Sequence, residues 1–244
     1  HKEYRRQRQM CIRDRKTIRR VSQHQWPETD DLALRAARLL AKHGSIKQGV
    51  ELDIVKRIPF GGGLGGGSSD AATVLLVMNK LWGINFTRSE LQNLAVVLGA
   101  DVPFFVFGRS AFAEGIGERL SPLEVTGAWY LVVYPNCFVS TQTVFSHPEL
   151  TRNSKPIKIA DFSLCEGQND LQEAVCRLYP EVLSALEWLG QFGAAAMSGS
   201  GSSVFCSFTK LGQANAALAQ IPPEWFGFVA RGLDCHPMID WIGD

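Results

Sequence analysis

The feature that most constrains this chain is a run of glycines at residues 61–67, in which six glycines flank one leucine, Leu64. Residues 50–58 alternate between apolar and polar and predict a strand, whereas the alanine-rich residues from about 70 to 82 predict a helix. Glycine adopts positive φ angles and lets another group approach the backbone closely. The first N–H groups of a helix are unpaired and carry partial positive charge. The run therefore predicts a phosphate-binding loop.

Other kinds of glycine-rich segment fit the sequence less well. A P-loop requires a Lys directly after the glycines, and none follows here. A dinucleotide-binding loop requires an acidic residue about twenty positions on at a strand end, but Glu90 lies in the first turn of a predicted helix. A flexible linker is disfavoured because the run is apolar on both sides and a helix follows directly. Ser68 and Ser69 add hydroxyls for phosphate or magnesium, and Asp70 is expected to stabilise the helix N-terminus rather than to bind metal.

The rest of the chain mixes helices and strands without strict βαβ alternation, which predicts an α+β fold. Residues 29–31 and Ser89 are predicted helix caps, and Gly44 a helix end. Helices are predicted at about 32–40, 89–98, 171–189 with a break at Pro180, and 211–219; strands are predicted at about 111–113, 129–134, 204–208 and 226–231. A change of composition at 121–127 predicts a domain boundary, with a disordered or non-native lead at 1–20, one domain at 21–124 and another at 125–244.

Composition excludes several classes of function. The formal net charge is +1, so nothing global indicates a nucleic-acid or membrane partner. No apolar run reaches the roughly 18 residues of a membrane span. The basic residues 1–20 could form a nucleic-acid-binding arm, but a non-native or disordered lead is favoured. Six cysteines without a C-x-x-C pair predict free buried thiols, and therefore a cytoplasmic location.

Two segments carry a resemblance to a known family. Residues 59–72 resemble the second signature of the GHMP kinases, and residues 197–205, about 130 positions later, resemble the third. Within that superfamily, the triple-glycine form and residues 98–105, 113–118 and 145–152 are similar to the 4-diphosphocytidyl-2-C-methyl-D-erythritol kinases. The resemblance implies a two-domain fold, with an incomplete ribosomal-protein-like N-terminal half and a ferredoxin-like C-terminal half.

The same resemblance implies a reaction and a site. The reaction is transfer of phosphate from ATP, with Mg²⁺, to the 2-hydroxyl of 4-diphosphocytidyl-2-C-methyl-D-erythritol in the non-mevalonate route to isoprenoids, by a monomer or weak homodimer. Asp101 matches the catalytic aspartate, Phe145 an aromatic that stacks on cytosine, and Thr141 a substrate contact, while Ser68 would face magnesium. The residues implied in ATP binding are Pro59, Phe60, Gly61, Gly62, Gly63, Leu64, Gly65, Gly66, Gly67, Ser68, Ser69, Gly199, Ser200 and Gly201.

The N-terminal region departs from the family pattern. The family begins with a P-[A/S]-K-[I/L]-N motif, whose Lys orients the catalytic Asp, followed by a G-Y-H segment that grips the cytidine end. Neither occurs here, and the resemblance begins only at about residues 21–30. The sequence is therefore expected to be an N-terminally truncated kinase. Two alternatives stay open: an inactive ATP-binding fragment of that kinase, or another GHMP kinase such as homoserine kinase.

Overall fold

The computed structural model describes residues 17–21, 26–125, 127–152, 154 and 169–241. These residues form two compact units that are not continuous in sequence. The first unit contains the described residues up to Arg57, Gly65–Glu124 and those from Cys235 onward, and the second contains Ile58–Leu64 and those within Val125–Asp234. The predicted domain limits stay predictions, and residues 1–16 of the predicted lead lie outside the described residues.

The first unit is built around four helices. These are α1 (Leu32–His43), α2 (Gly66–Leu81), α3 (Arg88–Ala95) and α4 (Val102–Phe107). Strand β1 (Ile18–Arg20) pairs in parallel with β2 (Val50–Leu52), and β3 (Ala111–Glu114) pairs antiparallel with β4 (Arg119–Pro122). The apolar faces of the helices meet in one core, which includes Leu40, Leu75, Leu76, Leu91, Val102 and Val106.

The second unit is a four-stranded antiparallel sheet with helices. Its elements are β5 (Trp129–Tyr134), α5 (Thr141–Phe145), α6 (Asp170–Leu178), α7 (Pro180–Gly190), β6 (Ala195–Met197), β7 (Val204–Phe208), α8 (Leu211–Leu218) and β8 (Phe226–Arg231). The strand order is β6-β7-β5-β8. Its core includes Leu131, Val133, Val175, Val182, Leu189 and Val204.

The predicted α+β fold is confirmed, and several elements lie where the apolar period placed them. Strands β5, β7 and β8 match their predicted ranges, and Pro180 begins α7 after α6 ends. Asp31 caps α1, because its Oδ1 accepts hydrogen bonds from the N–H groups of Ala33 and Leu34 at 3.0 and 3.4 Å. Gly44 follows the last residue of that helix, as predicted.

Three local predictions were wrong. The strand predicted over 50–58 ends at Leu52, and the helix predicted from about residue 70 begins already at Gly66. Ser89 lies inside α3, and Thr87 is its cap. Helix α3 begins after Thr87 because a capping box forms there. Thr87 Oγ1 accepts a hydrogen bond from the N–H of Glu90 at 3.2 Å, and Glu90 Oε2 accepts one from the N–H of Thr87 at 2.7 Å.

The cysteines only partly match their prediction. The four described cysteines are free thiols, but they differ in exposure. Cys206 is buried and Cys137 and Cys176 are half-buried, whereas Cys235 is exposed, so the prediction of burial fails there. Among the described helices, none is both long enough and apolar enough to cross a membrane.

Candidate active site

The first half of the glycine run lies in the second unit and contacts the second glycine-rich motif there. The backbone carbonyl of Gly62 accepts a hydrogen bond from the N–H of Ser203 at 3.1 Å. The carbonyl of Gly63 accepts one from Ser198 Oγ at 2.9 Å. The structure therefore brings together two predicted motifs that are far apart in the sequence.

This contact is too close for any residue but glycine. Gly63 has φ +71°, and a Cβ there would lie 2.3 Å from the carbonyl oxygen of Ser198 and 2.6 Å from that of Gly201. A Cβ on Gly199, at φ +54°, would lie 3.0 Å from the carbonyl oxygen of Gly63. Glycine is required at residues 63 and 199 because the backbones of the two motifs touch there.

The second half of the run begins helix α2 in the first unit. Gly65, with φ +65°, is the residue before the helix, and no described side chain caps it. By contrast, α1 is capped by Asp31 and α3 by Thr87. The first N–H groups of α2 are thus left for another partner, and phosphate oxygens suit them. A Cβ on Gly65 would lie 2.9 Å from the ring of Phe105, so α4 packs directly against this point.

The polar residues after the glycines have different settings. Ser68 and Ser69 lie in the first turn of α2 and are half-buried. Asp70 lies beyond that turn, so it does not stabilise the helix N-terminus as expected; its carboxylate forms an ion pair with Lys56 Nζ. No group of three or more His, Cys, Asp or Glu that could hold a metal occurs among the described residues. Ser68 stays the predicted protein ligand of magnesium.

Asp101 occupies the position before the first residue of α4. Its side chain is exposed and caps none of the N–H groups of that helix. The next two residues, Val102 and Pro103, are buried. The same short helix carries Phe105, which lies against Gly65. The packing of α4 thus fixes the backbone at Asp101, and the carboxylate of Asp101 makes no capping hydrogen bond to that helix.

The two predicted substrate residues lie on α5 in the second unit. Thr141 Oγ1 is 2.9 Å from Ser200 Oγ. This hydrogen bond joins the first residue of α5 to the second glycine-rich motif, at residues 197–205. Phe145 is the last residue of the helix, and its side chain is 56% exposed. An exposed aromatic ring suits the predicted role of stacking on a base.

One uncharged group, Tyr134, lies near the loop in the second unit, and Cys137 influences it electrostatically. A Cβ on Gly62 would lie 3.7 Å from the ring of Tyr134. Burial raises the pKa of Tyr134, and the neighbouring Cys137 raises it further. Burial also raises the pKa of the Cys137 thiol, with a smaller contribution from Glu181. Both groups are therefore protonated at neutral pH and add no negative charge.

Sequence reasoning missed one residue of this region, Asn169. Its side-chain Nδ2 donates hydrogen bonds to the carbonyls of Met197 and Gly199, at 3.0 and 2.8 Å. An Asn before a helix predicts a cap, and Asn169 does cap α6 through Leu171 N–H at 3.0 Å. Its bonds to the distant turn had no local signal.

Comparison with known proteins agrees with this geometry. The pattern described as GHMP kinases N terminal domain matches residues 31–109, and that of GHMP kinases C terminal matches 150–226. The chain is 54% identical to a 4-diphosphocytidyl-2-C-methyl-D-erythritol kinase of Thiobacillus denitrificans over 215 residues, which are 88% of this chain and 77% of the relative. The same kinase of Nitrosospira multiformis is also 54% identical, over 88% of this chain and 74% of its own length.

The chain belongs to the 4-diphosphocytidyl-2-C-methyl-D-erythritol kinase family of the GHMP kinases. A crystal structure of 4-(cytidine 5'-diphospho)-2C-methyl-D-erythritol kinase matches with a TM-score of 0.74 and 33% identity, over 88% of this chain and 82% of that one. A homoserine kinase from Cytophaga hutchinsonii matches with a TM-score of 0.67 but only 16% identity, over 90% and 82%, and so shows the shared fold alone. Membership of the GHMP kinases implies ATP as the phosphoryl donor.

Proposed function

We propose that this chain transfers the γ-phosphoryl group of ATP to the 2-hydroxyl of 4-diphosphocytidyl-2-C-methyl-D-erythritol. The observation that carries the proposal is the contact between the loop at Gly63 and the turn at Ser198 and Gly201, in a chain 54% identical to kinases of that name. Such a contact holds glycine backbone in one conformation directly before an uncapped helix N-terminus. Phosphoryl transfer depends mainly on positioning and charge neutralisation, and both roles are assigned here to this arrangement.

The proposed roles follow from the setting of each group. The N–H groups of residues 61–67 and the hydroxyls of Ser68 and Ser69 would bind the phosphates of ATP, with Pro59 and Phe60 at the start of the loop and residues 199–201 beside it. ATP supplies the transferred phosphoryl group, and its accompanying magnesium neutralises charge. Asp101 would accept the proton of the attacking hydroxyl, because an alcohol is a poor nucleophile unless a carboxylate removes that proton.

Substrate recognition is assigned to α5. The exposed ring of Phe145 would stack on the cytosine base, which needs only a flat π-face. Thr141 would contact the substrate through the hydroxyl that also reaches Ser200. We further infer a cytoplasmic location, in keeping with the free thiols of the four described cysteines.

A coupled ADP-release assay tests the proposal. The chain is incubated with ATP, magnesium and 4-diphosphocytidyl-2-C-methyl-D-erythritol, and homoserine serves as a matched control acceptor. ADP release with the cytidylyl substrate alone supports the proposed kinase. Release with homoserine alone would contradict the substrate assignment.

A second candidate is an ATP-binding chain without turnover. ATP binding by calorimetry without ADP release would identify it. Absence of both would contradict the phosphate-loop assignment itself.

A further inference from the structure

Asn169 makes hydrogen bonds in two directions at once. Its Oδ1 accepts from the N–H of Leu171 at 3.0 Å and so caps helix α6. Its Nδ2 donates to the carbonyl of Met197 at 3.0 Å and to that of Gly199 at 2.8 Å. One half-buried amide therefore ties the start of α6 to the turn that follows strand β6.

That turn is the one that supports the glycine loop. Gly199 packs against the carbonyl of Gly63, and Ser203 donates its N–H to the carbonyl of Gly62 at 3.1 Å. Ser203 is fully buried, so water cannot replace the bond it makes. Through this chain of contacts, the position of Gly199 determines the position of the loop backbone at residues 62–63.

We propose that Asn169 is a positioning residue for nucleotide binding: its amide donors hold the turn at Gly199, and the turn holds the glycine loop in the conformation that accepts phosphate. The inference rests on the proposed function, since it assigns the glycine loop to the phosphates of ATP. Asn169 itself touches neither the loop nor, by this proposal, the nucleotide. Its effect is transmitted by backbone contact alone.

The amide of Asn169 allows its two roles to be separated by substitution. Asn169→Asp keeps an oxygen that caps α6, because Asp and Asn are equally good caps. It removes both donors, however, and places a carboxylate opposite two carbonyl oxygens. Asn169→Ser also retains a capping hydroxyl and removes the donors without adding charge. Stability of the helix should survive in both variants, while the turn loses its support.

A charge-matched control lies three residues away on the same helix. Gln172 Oε1 accepts a hydrogen bond from the N–H of Met197 at 2.9 Å. Gln172→Glu makes the same amide-to-carboxylate change, but the bond needs only an acceptor and is retained. A general effect of negative charge would therefore appear in both Asn169→Asp and Gln172→Glu.

Two readouts decide the proposal. Calorimetry gives the dissociation constant for ATP, which we expect to rise roughly tenfold in Asn169→Asp and Asn169→Ser, because both hydrogen bonds that hold the turn are lost. Hydrogen exchange of the Ser203 amide, which donates to Gly62, should accelerate by a similar factor in both variants. Gln172→Glu should change neither quantity, and circular dichroism should show that all three variants are folded.

The remaining outcomes either contradict the role of Asn169 or separate that role from the proposed function of the chain. An unchanged ATP affinity in both Asn169 variants overturns it, as does an equal loss in Gln172→Glu. If the parent chain binds no ATP, the proposed function fails. Hydrogen exchange of the Ser203 amide then tests separately whether Asn169 holds the turn in place. Faster exchange in both Asn169 variants means that it does, and unchanged exchange means that it does not.

Discussion

Asp101 has an exposed carboxylate, although the residues that follow it in the chain are buried. Val102 and Pro103 directly after it are buried, so the backbone that carries the carboxylate has little freedom to move. The side chain makes no capping bond within α4, and it is therefore free to accept a proton from a substrate hydroxyl. The structure thus combines an exposed carboxylate at Asp101 with burial of the two residues that follow it.

We expect Asp101→Asn to reduce phosphoryl transfer by about 10²–10⁴-fold, the usual contribution of a general base. ATP affinity should stay within about twofold, since the glycine loop rather than Asp101 would bind the phosphates. ADP release and ATP calorimetry on the same preparation measure both quantities. Asp30→Asn, which alters another exposed carboxylate, serves as the control. A variant as active as the parent would remove Asp101 from the mechanism.

The carboxylate of Asp31, unlike that of Asp101, is buried and has a structural role. It forms an ion pair with Arg20 at 2.7 Å, and the two side chains are only 3% and 5% exposed. Burial alone would raise the pKa of Asp31, but hydrogen bonds from Arg20, Trp26 and two backbone N–H groups outweigh it and hold the pKa below the usual 3.8. The folded state thus gains stability from ionised Asp31 above that pH and loses it as the pH falls through the lowered pKa.

Asp31→Asn keeps an oxygen to cap α1 but leaves the Arg20 charge without its carboxylate. We expect it to lower the free energy of unfolding of the first unit by about 3–5 kcal/mol at pH 7, as for other broken buried pairs. The difference from the parent should shrink as the pH falls below 3.8, because the carboxyl of the parent is then protonated in the unfolded state and, below its lowered pKa, in the folded state as well. Urea unfolding across pH measures it. A difference that is constant down to pH 2 would contradict the role of this ion pair.

At the scale of elements, substitutions at two glycines distinguish the cost of a left-handed backbone conformation from the cost of a clash with neighbouring backbone. Gly83 has φ +65° and nothing within 4 Å of an added Cβ, whereas Gly63 has φ +71° and two carbonyl oxygens within 2.6 Å. Gly83→Ala should cost only the strain of a left-handed residue, about 1–2 kcal/mol. Gly63→Ala adds a clash with backbone that cannot move away without displacing the turn at Ser198.

We therefore expect Gly63→Ala to abolish measurable ATP binding, and Gly83→Ala to leave it unchanged. Calorimetry with ATP on both variants, with circular dichroism to confirm folding, makes the comparison. Equal ATP affinity in the two would mean that contact between the glycine loop and the turn is not required for binding the nucleotide.

The elements also show what local sequence can and cannot predict. Strands such as β5 were predicted to the residue because a six-residue run rich in aromatic and β-branched residues ends directly before Pro135. The start of α2 was missed because glycine is a poor helix former, and only the structure shows Gly66 already in helical conformation. The glycine loop was found from its composition. Its bond to Ser198 was not, because it joins residues 135 positions apart, and no periodicity reports such a contact.

At the scale of the whole molecule, each unit has its own apolar core. The core of the first unit gathers α1–α4 around Leu75, and that of the second gathers α6, α7 and the sheet around Leu189. Among the described residues the two clusters have no member in common. A single free energy of unfolding need not describe a chain of this kind, so local measurements are more informative than one melting curve.

We expect Leu75→Ala to accelerate hydrogen exchange in α2 and α3 and to leave β5 and β7 unchanged, and Leu189→Ala to do the reverse. Both leucines are fully buried, and truncating such a residue costs about 2–5 kcal/mol through lost contacts and the cavity left behind. Leu211→Ala, at a side chain that is 40% exposed, is the control and should change exchange little anywhere. Exchange mapped by mass spectrometry distinguishes the outcomes: acceleration confined to one unit means that each core sustains its own unit, whereas acceleration in both from either substitution would mean that the two cores open as one.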